Sequence, residues 1–295
     1  AAKELKTKPT QHSVKTLMES GINADILVCR TEHDISDEIK NKLALFCNVD
    51  VDSVIQSKDA STIYDVPLMM EKEKLDTVVL RKLDISNFSS TSMSNWTEFV
   101  NRLKYPKNTV NIGLIGKYVE LQDSYKSILE ALVHAGSVNE TKVVIHSIHS
   151  EFIDDDQINN QISKLDGVIV APGFGSRGIE GKIKSIKYVR ENNIPFFGIC
   201  LGMQMAVIEY SRNILNLEDS NSTEMDEKTS HPVISLMQDQ KNIINKGGTM
   251  RLGSWGCDLD KGSKVFKIYN SKTITERHRL RWEFSLIAGH EIVKI

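Results

Sequence analysis

One cysteine of the sequence lies in a context that favours nucleophilic chemistry. Gly198-Ile-Cys-Leu-Gly202 has the form G-x-C-x-G and lies between an apolar run at 194–199 and a helical pattern at 201–212. A sharp strand-to-helix turn exposes its central side chain above a sheet, and the amides that begin a helix stabilise a thiolate. We therefore expect Cys200 to be a nucleophile, with the Leu201 N–H donating to an oxyanion. A buried cysteine in a glycine-bounded turn is the alternative.

A second loop could complete the same site. Ala171-Pro-Gly-Phe-Gly175 follows a short apolar run, and Arg177-Gly178 comes directly after it. In open α/β sheets, ligands bind at the carboxyl ends of the strands, where such a loop would lie. Its backbone amides are candidates for the other half of an oxyanion hole, although Pro-Gly turns are common.

The elements that must position these loops alternate along the chain. From residue 110 onward, apolar strand-like runs alternate with amphipathic helical patterns, which predicts an α/β fold with a parallel sheet. The predicted strands are 110–116, 142–146, 167–171 and 194–199, and the predicted helices are 124–134, 156–165, 184–192 and 201–212. Residues 1–84 show a similar alternation. A Ser/Thr-rich stretch and a short helix make 85–108 a linker, so the prediction is two domains, 1–84 and 109–295.

Composition limits the classes of function. The 37 Lys and Arg residues nearly balance the 39 Asp and Glu residues, which argues against a binder of duplex nucleic acid. The apolar runs are too short to cross a membrane. The four cysteines are scattered without a CxxC pair, which favours free thiols in the cytoplasm. His146 and His149 lack further ligands nearby, so no metal site is expected.

Several ordered motifs resemble a known family. Residues 109–295 resemble the class I glutamine amidotransferases, and in particular the amidotransferase half of the CTP synthase family. The resemblance rests on Gly173 to Lys182, Phe197 to Gln204, Asn221-Ser-Thr-Glu224, Gly247 to Gly253 and Glu276-Arg-His-Arg279. It implies a flavodoxin-like domain with a Cys-His-Glu triad, in which Cys200 attacks the glutamine amide and water hydrolyses the resulting thioester.

The resemblance also implies the residues that hold glutamine. Glu224 would face the α-ammonium group, and Arg281 would face the α-carboxylate. The full implied set is Gly173, Leu201, Gly202, Met203, Gln204, Glu224 and Arg281. Outside the family context, a solvated acid and a surface cation would describe Glu224 and Arg281 equally well.

The match has departures. The family's histidine and glutamate lie in a His-Pro-Glu motif that this sequence lacks, and the pair His290-Glu291 is interpreted as incidental. We therefore expect an amidotransferase domain that is incomplete at its C-terminus, and a chain that lacks full activity by itself. Ala171-Pro172 replaces the usual Pro-Gly, and Pro172 has no N–H to donate.

A basic segment near the start is the second candidate site. Lys6 to His12 is predicted to be a loop in which lysines and hydroxyls could hold phosphate oxygens; a solvated basic turn is the alternative. The segment resembles the UTP-binding motif of the CTP synthase family's synthetase domain, a P-loop-like domain. The implied contacts with UTP or CTP are Lys6, Thr7, Lys8, Pro9, Thr10, Gln11 and Lys42, and those with ATP are Asp59 and Ala60. No phosphate-binding loop of the form G-x-x-x-x-G-K-[ST] is present, so the family's Mg²⁺ ligands are not expected in this chain.

The resemblance implies an activity for the combined halves. ATP would phosphorylate the 4-oxygen of UTP, and ammonia from glutamine would displace phosphate to give CTP. It further implies a homotetramer and allows GTP as an allosteric activator. Two alternatives stay open: another class I amidotransferase, and a catalytically silent fragment that assembles into oligomers.

Overall fold

The chain divides into two compact units, at 1–106 and 107–295. A computed structural model describes residues 5–86, 92–240 and 249–284.

The first unit is a small parallel sheet with helices. Strands β1 and β2 pair in parallel, with Leu27 opposite Val54 and Thr31 opposite Lys58, and a parallel pair requires a crossover, which α2 provides. The elements are α1 (Lys8–Glu19), β1 (Leu27–Thr31), α2 (Asp37–Cys47), β2 (Val54–Lys58), α3 (Val66–Lys72), α4 (Leu75–Lys82) and α5 (Ser94–Lys104). The core of this unit consists of Val14, Leu27, Leu43, Ala44, Cys47 and Val54.

Helix α5 lies inside the segment predicted to be a linker and packs on the first unit. The Trp96 Nε1–H donates to the carbonyl oxygen of Tyr64 at 2.9 Å. The ring of Phe99 lies edge-on to the ring of Tyr64, with 5.3 Å between centroids. Lys104 forms an ion pair with Asp65 at 2.6 Å. These contacts attach α5 to the segment around Tyr64 and Asp65 in the first unit.

The second unit contains the predicted parallel sheet. Its four strands lie in the order β4-β3-β5-β6, and all neighbours are parallel, which is the order of a flavodoxin-like sheet. The strands are β3 (Asn108–Gly116), β4 (Thr141–His149), β5 (Gly167–Val170) and β6 (Phe196–Gly198), and the helices are α6 (Lys126–Val138), α7 (Asp155–Asn160), α8 (Ile179–Glu191) and α9 (Leu201–Asn213). The predicted α/β class is confirmed.

The rest of the second unit is built around shorter strands. Strand β8 lies between β7 and β11, and β9 pairs with β10 in an antiparallel ladder. The elements are β7 (Asn221–Ser222), β8 (Pro232–Leu236), β9 (Arg251–Asp258), α10 (Lys264–Tyr269), β10 (Thr273–Leu280) and β11 (Trp282–Phe284).

Helices α8 and α9 pack together on the sheet and fix the loops that precede them. Ile183 and Ile186 of α8 and Met205 and Ile208 of α9 are buried in one cluster, with the spacing of a core-facing helix surface. Between these two helices, the Arg190 guanidinium forms an ion pair with the buried Glu209 carboxylate. The shortest distance, from Nη2 to Oε1, is 2.7 Å. A carboxylate needs such a partner to be buried as an ion.

Candidate active site

Cys200 occupies a strained turn between β6 and α9. Its backbone has φ 53° and ψ −106°, and it is the N-cap of α9. A positive φ is uncommon for a residue with a β-carbon and marks sites that the surrounding structure holds in place. The strand, sharp turn and helix predicted around this cysteine are therefore present.

Two glycines make the turn possible because their backbones touch other backbones. A β-carbon on Gly202 would lie 2.1 Å from the Val170 carbonyl oxygen, and one on Gly198 would lie 2.6 Å from the Met203 nitrogen. Neither distance is compatible with a side chain. The G-x-C-x-G spacing is thus a packing requirement of β5, β6 and α9 together.

The Cys200 thiol experiences opposing influences. Burial raises its pKa above the ordinary value, the Leu201 amide lowers it by hydrogen bonding, Glu224 raises it and Lys182 lowers it, with a net increase. The amide effect predicted from the sequence is present, but burial outweighs it. The resting thiol is protonated at neutral pH and needs a base to become a nucleophile.

The loop after β5 faces this turn. Ala171 is fully buried, and its N–H donates to the Ile115 carbonyl oxygen at 2.9 Å, which continues the sheet by one residue. Gly175 has φ +76°, a conformation that favours glycine, and its N–H donates to Glu224 Oε1 at 2.9 Å. The loop is therefore tied to the sheet at one end and to Glu224 at the other.

Two lysines hold carbonyl groups of the same loop. Lys182 of α8 is fully buried, and its ammonium donates to the Ala171 carbonyl oxygen at 3.0 Å. Lys117, directly after β3, is also buried, and it donates to the Phe174 carbonyl oxygen. Both lysine side chains, and that of Leu201 next to Cys200, come within 4 Å of the point where a β-carbon on Gly173 would lie.

A cleft of about 790 Å³ joins the turn, the loop and strand β10. Cys200, Gly173 and Met203 line it, so three of the residues implied for glutamine binding or catalysis meet at one surface. The remaining lining residues are Tyr118, Ser124, Tyr125, Pro172, Phe174, Phe197, Gly198, Ile199 and Arg277 to Leu280. A volume of this size suits a small-molecule ligand.

The other residues implied for glutamine lie outside the lining. Leu201 and Gly202 are buried in the first turn of α9. Gln204 is buried too, and its side-chain amide donates to the Trp282 carbonyl oxygen at 3.2 Å. Arg281 is buried and donates to Gln240 at 2.9 Å and to Thr249 at 3.2 Å. Their predicted contacts with glutamine stay predictions.

Sequence reasoning missed two groups of cleft residues. Arg277, His278 and Arg279 come from β10, where they stood only as part of a family motif, and Tyr118 and Tyr125 come from the segment after β3. The Nδ1 atom of His278 is buried and has no hydrogen-bond partner among the described residues. The run of three basic residues could have suggested a binding site. Because it is far from Cys200 along the chain, nothing in the sequence indicates that the two line the same cleft.

The predicted basic loop is only partly a loop. Helix α1 begins at Lys8, with a proline in its first turn, so Lys8 to His12 are helical and only Lys6 and Thr7 precede the helix. The prediction of a loop over 6–12 is wrong for 8–12, because the fixed φ of Pro9 suits the first turn of a helix. Lys42 is exposed on α2, the helix that packs beside α1.

Asp59 and Ala60 follow β2 at the carboxyl ends of the two parallel strands. The Asp59 N–H donates to the Thr31 carbonyl oxygen at 2.9 Å, and its carboxylate pairs with Arg30 at 3.2 Å. Both residues line a pocket together with Arg30, Lys58 and Thr62. This is the sheet edge at which α/β proteins bind ligands.

Within 5–86, 92–240 and 249–284, no three His, Cys, Asp or Glu side chains cluster as metal ligands. No helix in those ranges is long and apolar enough to cross a membrane. His290 and Glu291 lie outside the described residues.

Fold, turn and cleft define a class of protein, and comparison with family models agrees. Residues 120–294 match the family model of the class-I glutamine amidotransferases. The chain belongs to this family. Residues 1–85 match a second family model, that of the CTP synthase N-terminus, so the resemblance predicted for both halves is confirmed.

The particular relatives are CTP synthases. The chain is 65% identical over 294 residues to the CTP synthase of Flavobacterium johnsoniae, covering 100% of this chain and 55% of the relative. It is 54% identical over 300 residues to that of Methanocaldococcus jannaschii, again covering 100% of this chain and 55% of the relative. The chain thus spans about half the length of the curated relatives it matches.

A solved structure is also similar to part of the chain. The glutaminase domain of Trypanosoma brucei CTPS with bound acivicin matches with a TM-score of 0.58 and 35% sequence identity. The match covers 63% of this chain and 72% of that domain.

Proposed function

We propose that this chain is part of a glutamine-dependent CTP synthase. The observation that carries the proposal is Cys200 at a strained strand-to-helix turn, lining a cleft with Gly173 and Met203. The similarity of both halves to CTP synthases supports this activity over that of another class I amidotransferase.

The glutaminase half uses covalent catalysis. The Cys200 Sγ attacks the carbonyl carbon of the glutamine side chain, and the Leu201 and Gly173 amides stabilise the oxyanion. Collapse of this intermediate breaks the C–N bond, the nitrogen takes a proton, and ammonia leaves. Water then hydrolyses the thioester to give glutamate and the free thiol. Because burial raises the pKa of Cys200, the first step needs a base, a role that the class assigns to a histidine.

The synthetase half uses the ammonia. ATP, accompanied by Mg²⁺, phosphorylates the 4-oxygen of UTP, and ammonia displaces phosphate to form CTP. Asp59 and Ala60 contact ATP at the ends of β1 and β2. The segment from Lys6 to Gln11 and Lys42 contacts the pyrimidine nucleotide, where the start of α1 offers amides and lysines to phosphate.

Three further properties belong to the same proposal. The protein assembles as a homotetramer, GTP activates it, and it works in the cytoplasm. The scattered spacing of its four cysteines supports the last of these.

A comparison of two nitrogen sources tests the proposal. In the full-length gene product, Cys200→Ala abolishes CTP formation with glutamine but leaves CTP formation with ammonium chloride within about twofold, because free ammonia bypasses the thioester. Cys257→Ala, which changes an exposed cysteine, leaves both rates unchanged. Glutamine-driven synthesis that survives in Cys200→Ala would refute the assignment.

A further inference from the structure

A fully buried lysine beside the cysteine turn takes no part in the proposed steps of glutamine hydrolysis. Lys182 lies in the first turn of α8, with no exposed surface. An ammonium carries three donors, and among the described residues Lys182 has one hydrogen-bond acceptor, the Ala171 carbonyl oxygen at 3.0 Å. A buried charge with so few partners is costly, so a contribution to fold stability does not explain it.

The position of Lys182 connects it to both halves of the oxyanion site. A β-carbon built on Gly173 would lie 3.9 Å from Lys182 Nζ and 3.4 Å from the Leu201 side chain. The ammonium is therefore next to the Gly173 peptide and close to the start of α9. Lys117 donates to the carbonyl oxygen of Phe174, three residues after Ala171, so Gly173 lies between two residues whose carbonyl groups each accept from a lysine.

We propose that Lys182 is a positioning residue of this site: it fixes the 171–175 loop through Ala171, and its positive charge stabilises the Cys200 thiolate. The proposal deepens the proposed glutaminase activity and rests on it for its consequence in turnover. The coupling between the two side chains does not depend on turnover.

The charges that face Lys182 are consistent with this role. Burial, and to a smaller extent Lys117, lower the pKa of Lys182 while Cys200 raises it, and the net result is a pKa of about 8. At pH 7 the side chain is thus still an ammonium. Lys182 in turn opposes the effects of burial and of Glu224 on the Cys200 thiol. If the positive charge of Lys182 is removed, its lowering effect on the Cys200 pKa is lost. Burial and Glu224 still raise that pKa, so the pKa of Cys200 increases.

The test measures the pKa of Cys200 directly. The pH dependence of alkylation by iodoacetamide is followed for each cysteine peptide by mass spectrometry in the full-length gene product, with exposed Cys257 as the internal reference. Lys182→Met removes both charge and donor, whereas Lys182→Gln keeps a donor for Ala171. The control is Lys184→Met, the same change at an exposed position of the same helix.

The proposal predicts that Lys182→Met and Lys182→Gln raise the pKa of Cys200 by about one unit, which slows alkylation at pH 7 about tenfold. Lys184→Met leaves the profile unchanged. In glutaminase assays, kcat falls while KM changes little, with a larger loss for Lys182→Met because the loop is also released.

Two results would overturn the proposal. One is a Cys200 profile that is the same in wild type and in both Lys182 variants. The other is failure of both variants to fold, because Lys182 would then have a structural role. If glutaminase activity is absent from the wild type while the Cys200 pKa still shifts, the proposed function fails and the coupling stands.

Discussion

At the scale of single residues, two titrating groups of the site, Cys200 and Lys182, shift each other's pKa. Burial raises the pKa of the Cys200 thiol and lowers that of the Lys182 ammonium to about 8. Each group favours the charged form of the other, as expected for opposite charges in a buried site. The ammonium keeps its charge at neutral pH, where it favours the thiolate that attack on an amide requires.

The lowered pKa of Lys182 predicts an unusual dependence of stability on pH. The folded state disfavours the ammonium, so the penalty is complete below pH 8 and disappears as pH rises towards 10.5, the ordinary value. In a Cys200→Ser background, which removes the coupled thiol, the protein with Lys182 gains about 2–3 kcal/mol of unfolding free energy between pH 7 and pH 10, relative to Lys182→Met. Urea denaturation at several pH values measures the difference. A constant difference would contradict the lowered pKa.

At the scale of elements, the cysteine turn is the product of three backbones. Strand β5, strand β6 and helix α9 approach so closely that Gly198 and Gly202 have no room for a side chain. The pair of α8 and α9, joined by Arg190 and Glu209, then fixes where the first turn of α9 lies. The strained φ of Cys200 is held by packing that does not involve its own side chain.

This packing predicts a large effect of one methyl group. Gly202→Ala places a carbon 2.1 Å from the Val170 carbonyl oxygen, and the forced separation of β5 and α9 lowers the unfolding free energy by about 2–3 kcal/mol. The matched control is Gly256→Ala, where a β-carbon has nothing within 4 Å and the change stays below about 0.5 kcal/mol. Urea denaturation compares the two. If the two variants were equally stable, position 202 would have room for a methyl group, contrary to the structure.

The elements also show what a sequence can and cannot predict. The elbow was predictable because an apolar run, a G-x-C-x-G spacing and a helical pattern follow one another directly. The start of α8 was not: the prediction placed it at Lys184, whereas the helix begins at Ile179. Glycines at 178 and 181 favour a loop in a sequence-based prediction, but a β-carbon on Gly181 would lie 1.9 Å from the Ser150 carbonyl oxygen. The close contact that requires this glycine is visible only in three dimensions.

At the scale of the whole chain, each unit has its own core. The first unit packs α1, α2 and the β1–β2 pair around one buried cluster, and the second packs α8 and α9 on its sheet around another. Two features of the site, the burial of Lys182 and the proximity of β10 to the cysteine turn, arise only when the whole second unit is packed. Lysine is rarely buried, and the 76 residues between Cys200 and Arg277 carry no local signal of contact, so neither feature could be predicted from the sequence.

The contacts of α5 predict that loss of its Trp96 side chain destabilises only the first unit. Trp96→Ala removes the hydrogen bond to Tyr64 and the ring contacts with Tyr64 and Phe99, at a cost of about 2 kcal/mol for a half-buried aromatic side chain. Hydrogen exchange then accelerates in α1 and α2 and stays unchanged in α8 and α9. Tyr105→Ala, at an exposed position just after α5, serves as the control. Equal acceleration in both units would contradict a cluster that supports the first unit alone.

The central claim is that Cys200 is the nucleophile of a glutamine-hydrolysing site, and labelling with 6-diazo-5-oxo-L-norleucine tests it most directly. This glutamine analogue binds at a glutamine site and alkylates the nucleophile there. Treatment of the full-length gene product, followed by intact-mass measurement and peptide mapping, should give a single adduct on Cys200 that excess glutamine suppresses. An unlabelled Cys200, with the adduct instead on exposed Cys257, would contradict the account.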